Sequence, residues 1–324
     1  MSKTLIRRIA LLATMMAALA GFAPFSSASA QIPPLDDPTE EVRAILAPGA
    51  SPAGSALIVT SNLQEAFGES DVSNHDDMRV YVRRLLDQAP HAPDVLLLQE
   101  VRGSSVRFVT KHLSEKAGAP YAIVVQPGAG WTDTDSHVID TETSIVINTK
   151  TIAVEHDGGF VATRYKTSDG ADGVKPKIKN HAFALLSEKA SGFTFGVASV
   201  HLIQNKYLRS WEVANSYRRQ WSRKIADYLA AKYPAGSESE AFVIGGDFNS
   251  ARCSMETGIC PMPFWRTLVG GFNYRDANYE LAKAHGVDFI FATGGLVAAG
   301  SDESYSPKNE FYSDHKFRWA VIKD

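Results

Sequence analysis

The chain has 324 residues, 33 basic against 36 acidic side chains for a formal charge of −3, and 44% hydrophobic residues. That composition excludes a collagen-like, low-complexity or mostly disordered chain, and it supplies enough apolar material for a sizeable core. No basic excess marks the surface as a whole for nucleic acid, so such a partner would have to be met by a local positive groove.

Lys3, Arg7 and Arg8 precede an apolar run from Ile9 to Phe22, and Ser27-Ala28-Ser29-Ala30 follows. This is the order of a secretory signal peptide, residues 1–30, cleaved after Ala30; the run is too short for a membrane anchor. Its removal takes away three basic and no acidic residues, so the mature balance is −6. The product is expected to be secreted or periplasmic, with no stable membrane anchor. Residues 31–54, rich in Pro, Ala, Asp and Glu without a period, read as a leader arm, and 55–324 as one domain with no linker or repeat.

Along that domain, Leu57-Ile58-Val59 predicts a buried strand and Val95-Leu96-Leu97-Leu98 another. Between them Met78, Val82, Leu85 and Leu86 recur at helical spacing over Asp76–Gln88. Ser105–Ala117 reads as a second helix. Tyr121–Val125, Ser144–Asn148, Ala182–Leu186 and Phe193–Val200 read as strands, and Trp211–Lys232 as the longest amphipathic helix. Ala241–Gly245, Val287–Phe291 and Trp319–Ile322 complete the strands. They are too many, and the helices too few, for a repeated βαβ pattern; a layered α/β sandwich fits better. Cys253 and Cys260 are the only cysteines. Close together in an exported chain, they suggest one disulfide, the other reading being two free buried thiols.

Several buried-looking strands end abruptly in a polar residue able to bind metal or phosphate. They are Ser61-Asn62-Leu63, Leu98-Gln99-Glu100-Val101, Ser199-Val200-His201-Leu202, Gly246-Asp247-Phe248-Asn249, Gly286-Val287-Asp288-Phe289-Ile290-Phe291 and, near the end, Ser313-Asp314-His315. Each alone has a structural reading: a solvated carboxylate, a core histidine, a turn. In this order and these contexts, from Ala56 to Lys323, the set resembles the endonuclease/exonuclease/phosphatase superfamily, the metal-dependent phosphoesterases, and is most similar to its pancreatic-type deoxyribonuclease branch. The resemblance implies a four-layer α/β sandwich, two mainly antiparallel sheets face to face with helices outside.

It also implies roles. A phosphodiester repels an anionic nucleophile, so a site needs a cation on the phosphate, an oriented water and charge relief on the leaving oxygen. Glu100 is the expected metal ligand, with Asn62 and Asp314 beside it. Oxygen donors suit Mg²⁺, with Mn²⁺ or Ca²⁺ as alternatives. Asp247 and Asn249 are expected to touch phosphate, water or metal. His201 and His315 are the expected proton carriers. Asp288 is the implied partner of His315, and Glu142, at the start of its strand, that of His201. Arg102, after the metal glutamate, is the expected groove contact to substrate. Two departures from the branch stand out: Asp140 where a stacking tyrosine is expected, and Lys179-Asn180 where an arginine is expected. The stretch Lys175, Lys177, Lys179 reads either as a phosphate contact or as a solvated loop. The expected enzyme is a monomeric, metal-dependent phosphodiesterase, an endonuclease that hydrolyses DNA. A sphingomyelinase or phospholipase C-like enzyme, with Trp131 or Phe311-Tyr312 as apolar tips, or a phosphatase of the same fold, is the alternative. A catalytically silent binding protein is less consistent with an intact polar set.

Overall fold

The computed structural model describes residues 51–63, 73–127, 142–166, 176–204, 208, 210–250, 264, 266–280, 286–302, 313 and 315–324. The signal peptide, most of the leader arm, Trp131, Asp140, Lys175, Cys253, Cys260, Phe311, Tyr312 and Asp314 lie outside them, and with them the expected disulfide.

Among the described residues twelve strands form two six-stranded sheets. The first contains β1 (Ser55–Asn62), β2 (Val95–Val101), β3 (Tyr121–Val125) and β4 (Glu142–Asn148), with β11 (Gly295–Ser301) and β12 (Arg318–Lys323) from the end of the chain. Its order is β11-β12-β1-β2-β4-β3. The second contains β5 (Ile152–Lys166), β6 (Pro176–Glu188), β7 (Thr194–His201), β8 (Ala241–Asp247), β9 (Arg275–Asp276) and β10 (Asp288–Ala292), in the order β5-β6-β7-β8-β10-β9. Each sheet has one parallel pair, β1–β2 and β7–β8, and is otherwise antiparallel.

Alternation along the strands sorts the core into three slabs. Ala56, Ile58, Val95 and Leu97 face Ala184, Leu186, Val197 and Val243 between the sheets. The intervening Leu57, Val59, Leu96 and Leu98 pack outward under α1 (Ser73–Gln88) and α2 (Gly103–Ala117), meeting Tyr81, Val82, Leu85, Val109 and Leu113. On the far side Phe183, Leu185, Ala198 and Ile244 meet Trp221, Ile225 and Leu229 of α3 (Trp211–Lys232). The result is the expected four-layer sandwich. The sheets approach closely because Gly245 has no side chain: a Cβ there would lie 2.7 Å from Leu97 Cδ1 of the opposite sheet. Among the described residues no helix is long and apolar enough to cross a membrane.

Three strands escaped the sequence pattern: the two-residue β9, β5 and β11. β5 carries Gly158, Gly159 and two register shifts, which break its period. β11 is a run of small residues in which a shift falls between Leu296 and Ala298. β6 starts at Pro176, before the predicted Ala182, so the Lys177–Lys179 stretch is strand and not a solvated loop.

Candidate active site

Two parallel strand pairs end at one rim. In the second sheet His201 pairs with Asp247 across β7–β8, and Asp247 with Asp288 across β8–β10, so register alone puts the three in one row. Gly246 lets β8 lie this close: a Cβ there would stand 1.9 Å from the Val200 carbonyl oxygen. In the first sheet Asn62 ends β1 opposite Gln99 of β2. Glu100 would by alternation follow Leu98 to the α1 side, but the β2–β4 register shifts between Leu98 and Val101 and Glu100 has φ +52°. A bulge of this kind re-aims a side chain. Here it brings Glu100 to the rim and returns Val101 to the outer core.

The contacts join the two sheets. Asn62 Nδ2 donates to Glu100 Oε1 at 3.1 Å and to Asp247 Oδ2 at 3.0 Å. His201 Nε2 lies 3.3 Å from Glu100 Oε1 and 3.6 Å from Asp247 Oδ2. Asn249, at φ +50°, turns back on the row. Its backbone N–H donates to Asp247 Oδ1 at 2.6 Å, and its Nδ2 to Asp247 Oδ2 and the Leu202 carbonyl at 3.0 and 2.9 Å. His315 Nδ1 lies 2.9 and 3.1 Å from the two oxygens of Asp288. A carboxylate only accepts, so Nδ1 carries the proton, and Nε2 lies 4.0 Å from Asp247 Oδ2. Asp247 is fully buried, and burial together with Asp288 pushes its carboxyl up to about 7. Glu100–His201–Asp247 and Asp247–Asp288–His315 each offer ligand atoms within 4.8 Å of one another, which suits a divalent cation.

Three expected positions are not among these contacts. Glu142 opens β4 opposite Val101; its pairing with His201 lies outside the described side chains, as Asp314 does altogether. Arg102 is exposed at the N-cap of α2, one residue from Val101.

Gln99, Ser199 and Arg218 had no separate signal in the sequence. Buried Gln99 accepts from Thr60 and donates to Ser199 Oγ of the other sheet at 2.8 Å, and Ser199 donates to the Leu98 carbonyl at 2.9 Å; together they tie the sheets beneath the site. Arg218 of α3, fully buried, donates twice to the Ile203 carbonyl and holds the chain just past His201. Burial pulls its guanidinium down to about 10, against the opposing pull of Asp247. Lys179 is buried, its ammonium 3.1 Å from Nδ1 and 3.3 Å from Nε2 of His201.

Residues 59–315 match the model of the Endonuclease/Exonuclease/phosphatase family. The chain belongs to that family. Among solved structures, an endonuclease/exonuclease/phosphatase from Bacteroides vulgatus is similar at 16% identity, over 83% of this chain and 98% of that one, with a TM-score of 0.55. An endonuclease/exonuclease/phosphatase family protein of Bacteroides thetaiotaomicron is similar at 14% identity, over 83% and 97%, at 0.54. The human Nocturnin catalytic domain, solved with a bound sulfate anion, is similar at 14% identity, over 83% and 94%, at 0.51. These likenesses concern the fold. None of the curated proteins matches the chain. Members of the endonuclease/exonuclease/phosphatase family are hydrolases of phosphoester bonds, generally dependent on a divalent metal, and this member has carboxylate and imidazole groups that could hold one.

Proposed function

We propose that this family member is an exported, divalent-metal-dependent phosphodiesterase that hydrolyses DNA. The observation that carries the reading is the meeting of Asn62 and Glu100 from one sheet with His201, Asp247, Asp288 and His315 at a single rim. The donors fit the metal: Glu100 and Asn62 present hard oxygens, with Asp314 beside His315 in sequence, the set that Mg²⁺ or Mn²⁺ prefers. Bound there, the ion would neutralise a phosphate oxygen and the charge that builds in the transition state.

The protein's own groups do the proton work. Hydrolysis joins a water oxygen to phosphorus and breaks the bond to the ester oxygen; one proton leaves the water and one reaches the departing oxygen. Asp288 fixes the His315 ring through Nδ1, so that Nε2 can pass a proton to or from the substrate. His201 is the second carrier, on the Glu100 side. Asn249 and Asn62 supply amide groups beside Asp247, where phosphate or water would be oriented. Lys179 adds a cation next to His201, and Arg102 stands exposed beyond Glu100 for a phosphate or groove contact.

The test is purified mature protein with Mg²⁺ or Mn²⁺, assayed in parallel on plasmid DNA, RNA, sphingomyelin and a phosphomonoester. Nicking of plasmid that stops with EDTA is the expected result. Hydrolysis of sphingomyelin with intact plasmid would replace this reading by the phospholipase-like one.

A further inference from the structure

The β6–β7 ladder runs from Ser187 opposite Thr194 to Ala182 opposite Ser199 and stops. Both strands continue, β6 back to Pro176 against β5 and β7 on to His201 against β8. Where they part, side chains take the backbone groups the ladder leaves. Thr143, from the other sheet, donates to the Asn180 carbonyl at 3.1 Å and accepts from the Ala182 N–H at 2.7 Å. The His201 N–H donates to His181 Nδ1 at 3.3 Å.

That last contact orders a chain of protons. His181 Nδ1 is an acceptor, so the ring proton sits on Nε2 and goes to Thr163 Oγ1 at 2.9 Å. The hydroxyl then donates to the Lys179 carbonyl at 3.3 Å. The chain starts at the amide of His201 and ends at the carbonyl of Lys179, the two residues whose side chains meet in the site. It also resolves a conflict of faces. His181, packed near Trp221, belongs by alternation to the α3 side of the sheet with Phe183 and Leu185, and Lys179 shares that parity. His201 shares the inter-sheet parity of Val197 and of Ser199, which contacts Gln99. A lysine of one face reaches a histidine of the other only where the strands are held apart. Burial, with Lys179 and Lys224, holds the His181 pKa near 3, so the neutral tautomer this chain needs persists.

We propose that His181 is a positioning residue of this site: a wedge between β6 and β7 that sets the Lys179 ammonium against the His201 ring, so that a substrate phosphate meets a preorganised cation–imidazole pair. This rests on the reading of Glu100 and His201 as site residues and extends it. Preorganisation of this kind acts on developing charge, and so on kcat more than KM.

The experiment is steady-state DNA hydrolysis by His181→Phe, His181→Asn, Lys179→Met and the doubles with Lys179→Met, with thermal melts alongside. Phe keeps a ring against Trp221 but neither accepts nor donates; Asn keeps an amide oxygen able to accept from the His201 N–H. Expected are a ~10–100-fold fall in kcat for His181→Phe with KM within ~3-fold, and recovery of most of that loss in His181→Asn. Each His181 variant should cost little further in the Lys179→Met background. If His181→Phe does not fold, the cycle with His181→Asn decides. Wild-type kcat in His181→Phe, equal impairment of the two variants at equal melting temperature, or fully additive losses with Lys179→Met would overturn the proposal. If Glu100→Gln and His201→Ala silence the enzyme while the His181 cycle is additive, this inference alone fails. Full activity in those two controls removes the site reading beneath it as well.

Discussion

In the sheet around β7 and β8, His201, Asp247 and Asp288 form a straight row because three neighbouring strands keep their register to the last residue. In the sheet around β1 and β2, Glu100 reaches the same rim only because β2 leaves register, through a bulge and a left-handed backbone. The first arrangement needs no bulge and is as rigid as the ladder itself, its cost being the burial of Asp247 beside Asp288. The second stores strain at a non-glycine residue, of a kind that persists when its surroundings over-determine it; the Asn62 amide, bonded to both Glu100 and Asp247, is one such constraint. Under the proposed function, His201 and Asp288 would thus act from the unbroken ladder and Glu100 from the bulge.

The sharpest test lies in the row. Asp288→Asn and His315→Ala should each lower kcat by ~10²–10⁴-fold, and the double variant should be little worse than either. Additive losses in folded protein would show two independent groups and break the row into parts. On the bulge, Glu100→Gln keeps shape and the Asn62 contact but removes charge; activity should fall ~100-fold or more, together with divalent-ion affinity in a calorimetric titration. Unchanged ion affinity would detach the bulge from the metal.

Smaller effects probe the supports. Gly246→Ala forces a Cβ to within 1.9 Å of the Val200 carbonyl and should destabilise by about 3 kcal/mol, lowering the melting temperature by ~6–12 °C. A wild-type melting curve would mean the β7–β8 approach is not as tight as the row requires. The pH dependence of stability tests the wedge. His181 titrates near 3 when folded and near 6.5 when unfolded, so between those values the unfolded state binds one more proton. Its contribution is complete above the unfolded value and is lost as pH falls toward 3, at about 1.4 kcal/mol per pH unit. His181→Asn should therefore flatten the loss of stability between pH 6.5 and 4.5 relative to wild type, measured by denaturant unfolding with EDTA present. Parallel curves would indicate that the ring is not held neutral.

The strands that position the rim were legible one at a time. Val95–Leu98, Phe193–Val200 and Ala241–Gly245 are short apolar runs that end in polar residues, and the six polar motifs stood out by their order. β5 and β11 were not legible, since paired glycines, bulges and small residues blur a period of two. Lys179 stood near the place of an expected arginine and read either as a phosphate contact or as part of a solvated loop, and His181 was one histidine of nine, because nothing local distinguishes a buried cation from a solvated one.

The sequence by itself determined the strand ends, the residue types that chemistry at a phosphate needs, and the family to which those motifs point. Tertiary structure alone decided which ends meet. Hydrogen-bond register across β7, β8 and β10 aligned His201 with Asp247 and Asp288, residues 46 and 41 positions apart in the chain. It also decided that Glu100 turns inward, through a bulge that arises between two strands and has no meaning for one. The parting of β6 from β7 belongs to the same class: it depends on Thr143 arriving from the opposite sheet and on His181 finding an amide that pairing would otherwise have used. Local sequence carries propensity and period. Which backbone groups are left for side chains to satisfy is settled only when the strands pair.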